Sequence, residues 1–409
     1  REAILGGGVQ RSQSTGSTSR PLKIAYLCDI SPHEAWSYSG GNTRILKAVE
    51  RFADVTVLSS GWHGAQFFRR AVEAMPEAWT LRMRFRAHIA LSRIIARGVR
   101  RELAASGCDV LFGAYSFHSL LNLRVPPGIT TVFTSDATPT VYERSEIGAA
   151  FGSFFSLSRI LDPWILRAET KVFQSTDLML WPSDWLRDEA AQLYGLRDGQ
   201  SAMVPWGAGI APPPLESLLP HNPMTEEVRL LLVGRDWFMK GGPVAVDVLD
   251  ALQGRGVNAH LTVVGCVPPD FHMREAMTVH ANLDKAKPEE LVLLESLYRR
   301  AHFMVMPSFE SYGFAFCEAS AYGLPSLCLR VGGVPVVDGE NGFALPKGSD
   351  AGAFAERIVA LQRDPEGYRA LRERTQGYYE RALNWDAWSD AAERLIRAKL
   401  AEKARRSTS

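Results

Sequence analysis

The sequence predicts an α/β protein of two doubly wound parallel sheets facing each other across a cleft. Three observations carry this. Short apolar runs alternate with helix-patterned stretches, as strands buried on both faces require. The alternation stops at a Pro/Gly-rich segment and then restarts. A chain of 409 residues is also longer than one ordinary core fills, so two domains are expected.

Residues 1–20 are rich in Gly, Ser, Thr and Gln and lack a signal-peptide apolar run, so they read as a disordered tail. The first domain is expected over 21–205. It opens with the strand Pro21–Cys28, a Gly/Ser/Pro-rich loop from Asp29 to Asn42, a helix over Thr43–Phe52 and a strand over Val55–Leu58. Asp109–Phe112, Thr130–Phe133 and Leu178–Trp181 are its later strands. The boundary lies in Val204–Ile210, with the prolines that follow it and a polar stretch to Glu227. The second domain, 206–384, restarts with the strand Val228–Val233 and the helix Gly242–Gln253. The strand Ala259–Val264, the helix Pro288–Arg300 and the strands Phe303–Met306 and Ser326–Leu329 follow. Residues 385–409 form a separate closing segment, with an amphipathic helix from Trp385 to Lys403.

Composition narrows the function classes. Hydrophobic residues make up 46% and charged residues 22%, as in a soluble globular protein. No apolar run approaches the roughly 20 residues that span a bilayer. The five cysteines (28, 108, 266, 317 and 328) are widely spaced, with no Cys-x-x-Cys pair or Cys/His cluster. Neither a metal site nor a disulfide framework is expected, and a reducing cytosol is the simple location. The net charge of +1 hides an uneven distribution: residues 62–101 hold nine arginines against Glu73 and Glu77, among aromatic residues. Such a stretch suits an anionic membrane surface on the cytoplasmic face, an acceptor phosphate or plain solvation. Nucleic acid is not an expected partner, since no recognised binding module accompanies the charge.

The chemistry concentrates in the second domain. Glu310 lies on the loop after the strand Phe303–Met306, and Glu318 inside the small-residue helix that follows. In open α/β sheets, ligands bind in the crevice at the carboxyl ends of strands. The backbone N–H groups of Ser311, Tyr312 and Gly313 at the helix start suit an anion. An upstream loop, Gly234–Gly242, follows the domain's first strand and carries Arg235 and Lys240, cations able to neutralise a diphosphate. Paired acids and paired cations imply a ligand with both phosphates and hydroxyls, such as a nucleotide-sugar. The apolar neighbours of Glu318 (Phe316, Cys317, Ala319) make an unpartnered carboxylate costly there, which favours a hydroxyl-rich ligand over a helix-face acid in a local ion pair.

These motifs occur in order: Gly234-Arg-(x)4-Lys-Gly, Val264-Gly265, Pro307-Ser-x-Glu-(x)7-Glu-Ala, Gly323-Leu-Pro, Gly332-Gly-Val and Gly339-Glu-Asn-Gly. Over about Val204–Leu345 the chain resembles the retaining family 4 glycosyltransferases of GT-B fold. The resemblance implies two Rossmann-like domains, an acceptor side in the first and a donor side in the second. It implies that Arg235 and Lys240 bind the donor diphosphate, that Glu310 contacts the transferred sugar and that Glu318 holds the ribose. Asn282 and Leu283 would lie by the base, and Gly234 and Gly265 by the donor. Gly40 and Gly41 resemble the family's glycine loop. Such enzymes commonly carry a His near Phe133–Thr138; here Ser135 or Asp136 stands in that neighbourhood. His33 and His118 reach the cleft only by their loop positions. Asn384-Trp-Asp-Ala-Trp resembles the closing segment that crosses back onto the first domain.

No Asp-x-Asp pair stands at a strand end, so no metal or other cofactor is expected beside the nucleotide-diphosphate sugar. The expected activity is retaining, metal-independent sugar transfer to a hydroxyl of a glycan, lipid-linked or small-molecule acceptor. A sugar-nucleotide epimerase of similar shape and a non-catalytic sugar-nucleotide-binding subunit are the two alternatives.

Overall fold

The computed structural model describes residues 21–29, 31–33, 40–58, 67, 70–71, 74, 77–150, 162–210 and 224–408. The expected tail at 1–20 and much of the glycine loop and the basic stretch lie outside these residues.

The first sheet comprises β1 (Leu22–Cys28), β2 (Ala53–Val57), β3 (Val110–Ala114), β4 (Thr130–Thr134), β5 (Leu178–Trp181) and β6 (Ser201–Met203), in the order β2-β1-β3-β4-β5-β6. The second comprises β7 (Val228–Val233), β8 (Ala259–Val264), β9 (Met277–His280), β10 (Phe303–Val305), β11 (Ser326–Leu329) and β12 (Gly342–Leu345), in the order β12-β11-β10-β7-β8-β9. The ladders are parallel in both. The chain reverses its lateral direction between β1 and β3 in one sheet and between β7 and β10 in the other. Those switch points open the two crevices that can hold ligands.

Helices of the first domain are α1 (Gly41–Glu50), α2 (Glu77–Ser106), α3 (Phe117–Leu120), α4 (Pro139–Arg144), α5 (Glu146–Ala150), α6 (Asp162–Ser175) and α7 (Asp184–Tyr194). Those of the second are α8 (Gly242–Gln253), α9 (Pro288–Arg300), α10 (Phe314–Ala321), α11 (Ala351–Gln362) and α12 (Pro365–Ala382), with α13 (Trp385–Thr408) closing the chain. Helix α2 buries Ile95, Val99 and Leu103 and exposes Arg93, Arg97, Arg100 and Arg101, so its C-terminal half presents a cationic face. Among the described residues no helix is long and apolar enough to cross a membrane.

Strands β6, β9 and β12 have no counterpart in the sequence reading. All three are sheet edges, covered less than the central strands, so their residues need not form an apolar run. Helix α1 starts at Gly41 rather than Thr43, and α13 runs to Thr408 rather than Lys403.

Two chain crossings join the domains and pin each other. The Ala208 N–H donates to the Leu383 carbonyl at 3.0 Å, and Trp385 Nε1 donates to the Ala208 carbonyl at 2.9 Å. A Cβ on Gly207 would lie 2.4 Å from the Trp385 nitrogen, so only glycine permits the approach. Helix α13 then lies on the first domain: Trp388 packs edge-on to Phe112, Ser389 Oγ donates to the Ala48 carbonyl and Lys403 pairs with Asp177. One apolar cluster therefore runs through both domains, from Ile24 and Phe112 to Met304 and Phe316.

Behind the first crevice, Glu169 is fully buried beneath α4, accepting from the Thr140 N–H at 3.0 Å and from the Thr140 hydroxyl. Burial pushes its carboxyl up to about 7, although the Thr140 and Tyr194 hydrogen bonds pull the other way. Below pH 4.5 the carboxyl is protonated in folded and unfolded chains alike. Between 4.5 and 7 the folded state binds more protons, so this group's stability contribution falls as pH rises and is lost above 7, by roughly 3 kcal/mol. Glu169→Gln should therefore match the wild type in urea unfolding near pH 4.5 and exceed it at pH 8. Equal stabilities at pH 8 would remove the assignment.

Candidate active site

The site forms at the β7/β10 switch point. After β7, Gly234 lets the chain turn under the Lys240 stem: a Cβ there would sit 2.2 Å from Lys240 Cγ. The Gly265 turn after β8 backs onto Gly234, with φ 94° and space for no Cβ (2.7 Å to the Gly234 carbonyl). Gly241, φ 75°, caps α8 against the Pro307 carbonyl. This packing brings the α8 N-terminus to the loop that carries Glu310. Lys240 Nζ meets Glu310 Oε1 there as an ion pair, largely sheltered (25% and 15% exposed). A cation beside a carboxylate under a helix N-terminus can neutralise a leaving phosphate and orient a sugar hydroxyl.

The expected pairing of two cations with two acids is corrected in part. Arg235 stands exposed on the same loop. Glu318, 2% exposed on α10, is engaged by residues that the sequence reading did not select. Lys285 Nζ lies 2.5 Å from its Oε1, and the Tyr298 hydroxyl donates to Oε2 at 2.8 Å. Burial, and then the Glu318 charge, raises the Tyr298 phenol well above its ordinary value and keeps it a neutral donor. Arg44 of α1 comes close from the first domain: its guanidinium donates to the Gly209 carbonyl at 2.8 Å, and a Cβ on Gly209 would touch both it and Glu318. Burial lowers the Arg44 pKa while the Glu318 charge raises it. Of the partners of Glu318, Lys285 is the exposed one and Tyr298 the buried one. Asn282, exposed, and Leu283, half-buried, lie on the loop between β9 and α9 that also carries Lys285. The missing signal was β9: without that edge strand, only the family resemblance placed Asn282 and Leu283 by the crevice, and it did not reach Lys285.

Residues 311–313 divide in role. Gly313 takes φ 97° and caps α10. The Tyr312 side chain turns into the core, its hydroxyl donating to the Trp206 carbonyl at 2.7 Å, so only its backbone faces the crevice question. Ser311 Oγ donates across the cleft to Asp136 Oδ2 at 2.6 Å.

Ser135 and Asp136 differ in where they point. Ser135 is buried and its Oγ donates to the Ala137 carbonyl. Asp136 is the acid that faces the second domain. Burial raises its carboxyl above the ordinary range, the Ser311 hydrogen bond opposes this, and the nearby Glu310 charge adds to it. Gly40, φ 78°, caps α1, and Gly41 lies against Phe314 at the start of α10 (3.1 Å to a built Cβ). His33 is exposed.

His118 falls in a cluster absent from the sequence reading. Its Nδ1 lies 2.8 Å from Asp29 Oδ2, Ser119 Oγ donates to Asp29 Oδ1 at 2.7 Å, and the His88 ring stacks on His118 at 4.7 Å. Burial alone would raise the Asp29 carboxyl; the His88 and His118 charges and these hydrogen bonds together hold it below its ordinary value. The ligand-type atoms of Asp29, His88 and His118 lie within 4.8 Å of one another, but both Asp29 oxygens are already engaged by His118 and Ser119. The trio comes from three segments far apart in sequence, which no spacing rule connects.

Residues 227–364 match the family described as glycosyl transferases group 1. The chain is 36% identical over 149 residues to the D-inositol 3-phosphate glycosyltransferase of Corynebacterium glutamicum, covering 33% of this chain and 35% of that protein. It is 28% identical over 261 residues to the Nocardiopsis dassonvillei protein of the same name, covering 58% of this chain and 60% of the other. The matches thus span between about a third and three fifths of these relatives. HepE of Anabaena, solved with UDP, superposes with a TM-score of 0.58 at 13% identity, over 92% of this chain and all of that one. Residues 227–364 thus resemble the group 1 glycosyl transferases, and the chain as a whole has the two-domain GT-B fold.

Proposed function

We propose that the protein is a retaining, metal-independent glycosyltransferase that moves a sugar from a nucleoside-diphosphate donor to an acceptor hydroxyl. The observation that carries this is the Lys240–Glu310 pair at the β7/β10 switch point, with Asp136 of the first domain reaching the Ser311 beside it. The donor diphosphate lies over the α8 N-terminus, Lys240 and Arg235, which supply the positive charge that a metal gives elsewhere. Glu310 orients the sugar and Glu318 takes the ribose hydroxyls. As the bond from the sugar's anomeric carbon to the diphosphate oxygen breaks, the acceptor oxygen bonds to that carbon from the same face. Its proton passes to the departing diphosphate. Closure of the cleft excludes water as the competing acceptor.

The UDP complex of HepE supports a nucleoside diphosphate as the ligand class. Thermal unfolding in the presence of UDP, GDP, ADP and their sugars tests binding, since a native-state ligand raises the melting temperature. One nucleotide of the panel should raise it, and the matching sugar-nucleotide should yield a glycoside of unchanged anomeric configuration. No shift with any of them defeats the proposal. Binding without product in any acceptor mixture indicates a non-catalytic subunit, and a changed sugar without acceptor indicates an epimerase.

A further inference from the structure

We propose that the cavity of about 310 Å³ between the β3–α3 and β4–α4 loops is the acceptor site and takes a compact aromatic alcohol, a phenol being the simplest. The inference rests on the transferase reading and names the substrate class of that same site.

Position is the first support. Both loops leave the carboxyl ends of strands next to the β1/β3 switch point. Asp136 lines the cavity and bonds Ser311 of the donor loop. A hydroxyl held at Asp136 therefore lies beside the residues assigned to the donor sugar.

Wall chemistry is the second. Tyr115, Phe117, Phe133, Tyr142 and Phe173 are five of the eleven described lining residues, and no Lys or Arg is among those described. Phe133 and Phe173 are buried and packed edge to face at 5.2 Å, which makes a rigid wall. Against these rings a free sugar would replace only part of its water hydrogen bonds, and a phosphorylated polyol would meet no cation among the described lining residues. An aromatic ring gains apolar burial and about 0.5–1.5 kcal/mol from each well-placed ring contact.

The backbone and the buried cluster add two more. Tyr115 is the one described non-glycine residue with positive φ, at 53°. That strain, of order 1–3 kcal/mol, is retained where surrounding structure enforces it, commonly at ligand sites. On the opposite side His118 lines the cavity with its ring fixed by Asp29 and His88. The cavity thus joins an immobile aromatic wall to a small polar set, Asp136 and His118, as small-ligand sites do.

Calorimetric titration of the whole chain with 4-methylumbelliferone, glucose, inositol 1-phosphate and 1-octanol decides it, with UDP and GDP titrated separately. The phenol should bind at least about tenfold more tightly than each of the other three. Ala137→Phe, which fills the cavity, should weaken it by about tenfold or more while nucleotide affinity stays within about twofold. Should that variant fail to fold, Tyr142→Ala, which opens the wall, should weaken the phenol in the same sense. A preference for glucose, inositol 1-phosphate or octanol, or phenol affinity indifferent to the cavity variant that folds, overturns the inference. Nucleotide binding with no phenol binding removes this inference and leaves the transferase reading; phenol binding with no nucleotide binding removes the transferase reading and the acceptor role with it, leaving only a phenol-binding cavity.

Discussion

Lys240→Ala should lower the single-turnover rate of sugar transfer by about 10²–10³-fold, the usual effect of removing one preorganised charge from a developing oxyanion. The side chain is held ready: its stem crosses Gly234, its head meets Glu310, and the α8 N-terminus lies at its base. Charge on the diphosphate grows as the sugar bond breaks, so the loss should fall on the chemical step more than on ground-state binding. Nucleotide affinity should change less than the rate, and Lys240→Arg should recover part of it. Removal also leaves Glu310 beside Asp136 without its cation, so a Glu310→Gln/Lys240→Ala double variant should lose less than the product of the single losses. A rate within threefold of wild type would exclude Lys240 from the reaction.

Gly241→Ala should destabilise the second domain by about 3 kcal/mol or more. Two effects combine. The residue has φ 75°, which a side chain resists by about 1–2 kcal/mol, and a Cβ would lie 2.2 Å from the Pro307 carbonyl oxygen. That neighbour is backbone, so the α8 N-terminus and the loop toward Glu310 must separate. Gly256 offers the control, with φ 76° and no atom within 4 Å of a built Cβ. Gly256→Ala should cost only the conformational part, about 1 kcal/mol. The difference between the two in urea unfolding isolates the clash. Equal losses would mean that the loop yields without cost and that Gly241 does not fasten the site.

Legibility followed burial. Central strands such as Val228–Val233 and Leu178–Trp181 are enclosed on both faces, so the need to exclude water writes them as apolar runs; these two were read to the residue, while others, such as Val110–Ala114 and Phe303–Val305, differ from the reading by one or two residues at an end. The edge strands β6, β9 and β12 escaped because an edge can be half polar. Losing β9 hid Lys285, and with it the ion pair that already holds Glu318. Glu310 and Lys240 were legible because each sits a few residues beyond a central strand of the same domain, where chain order and crevice coincide.

By itself the sequence determined the two doubly wound sheets and the loops bearing Lys240, Glu310 and Glu318, because strand burial, glycine turns and helix starts are local properties. Only tertiary structure decided which partners those charges take. Lys285 reaches Glu318 across 33 residues, Asp136 meets Ser311 across 175, and Asp29, His88 and His118 converge from three segments. Such pairings depend on how loops converge at the ends of the strands within each sheet and, for Asp136 and Ser311, on how the two domains close on each other, relations that no single stretch of sequence encodes locally.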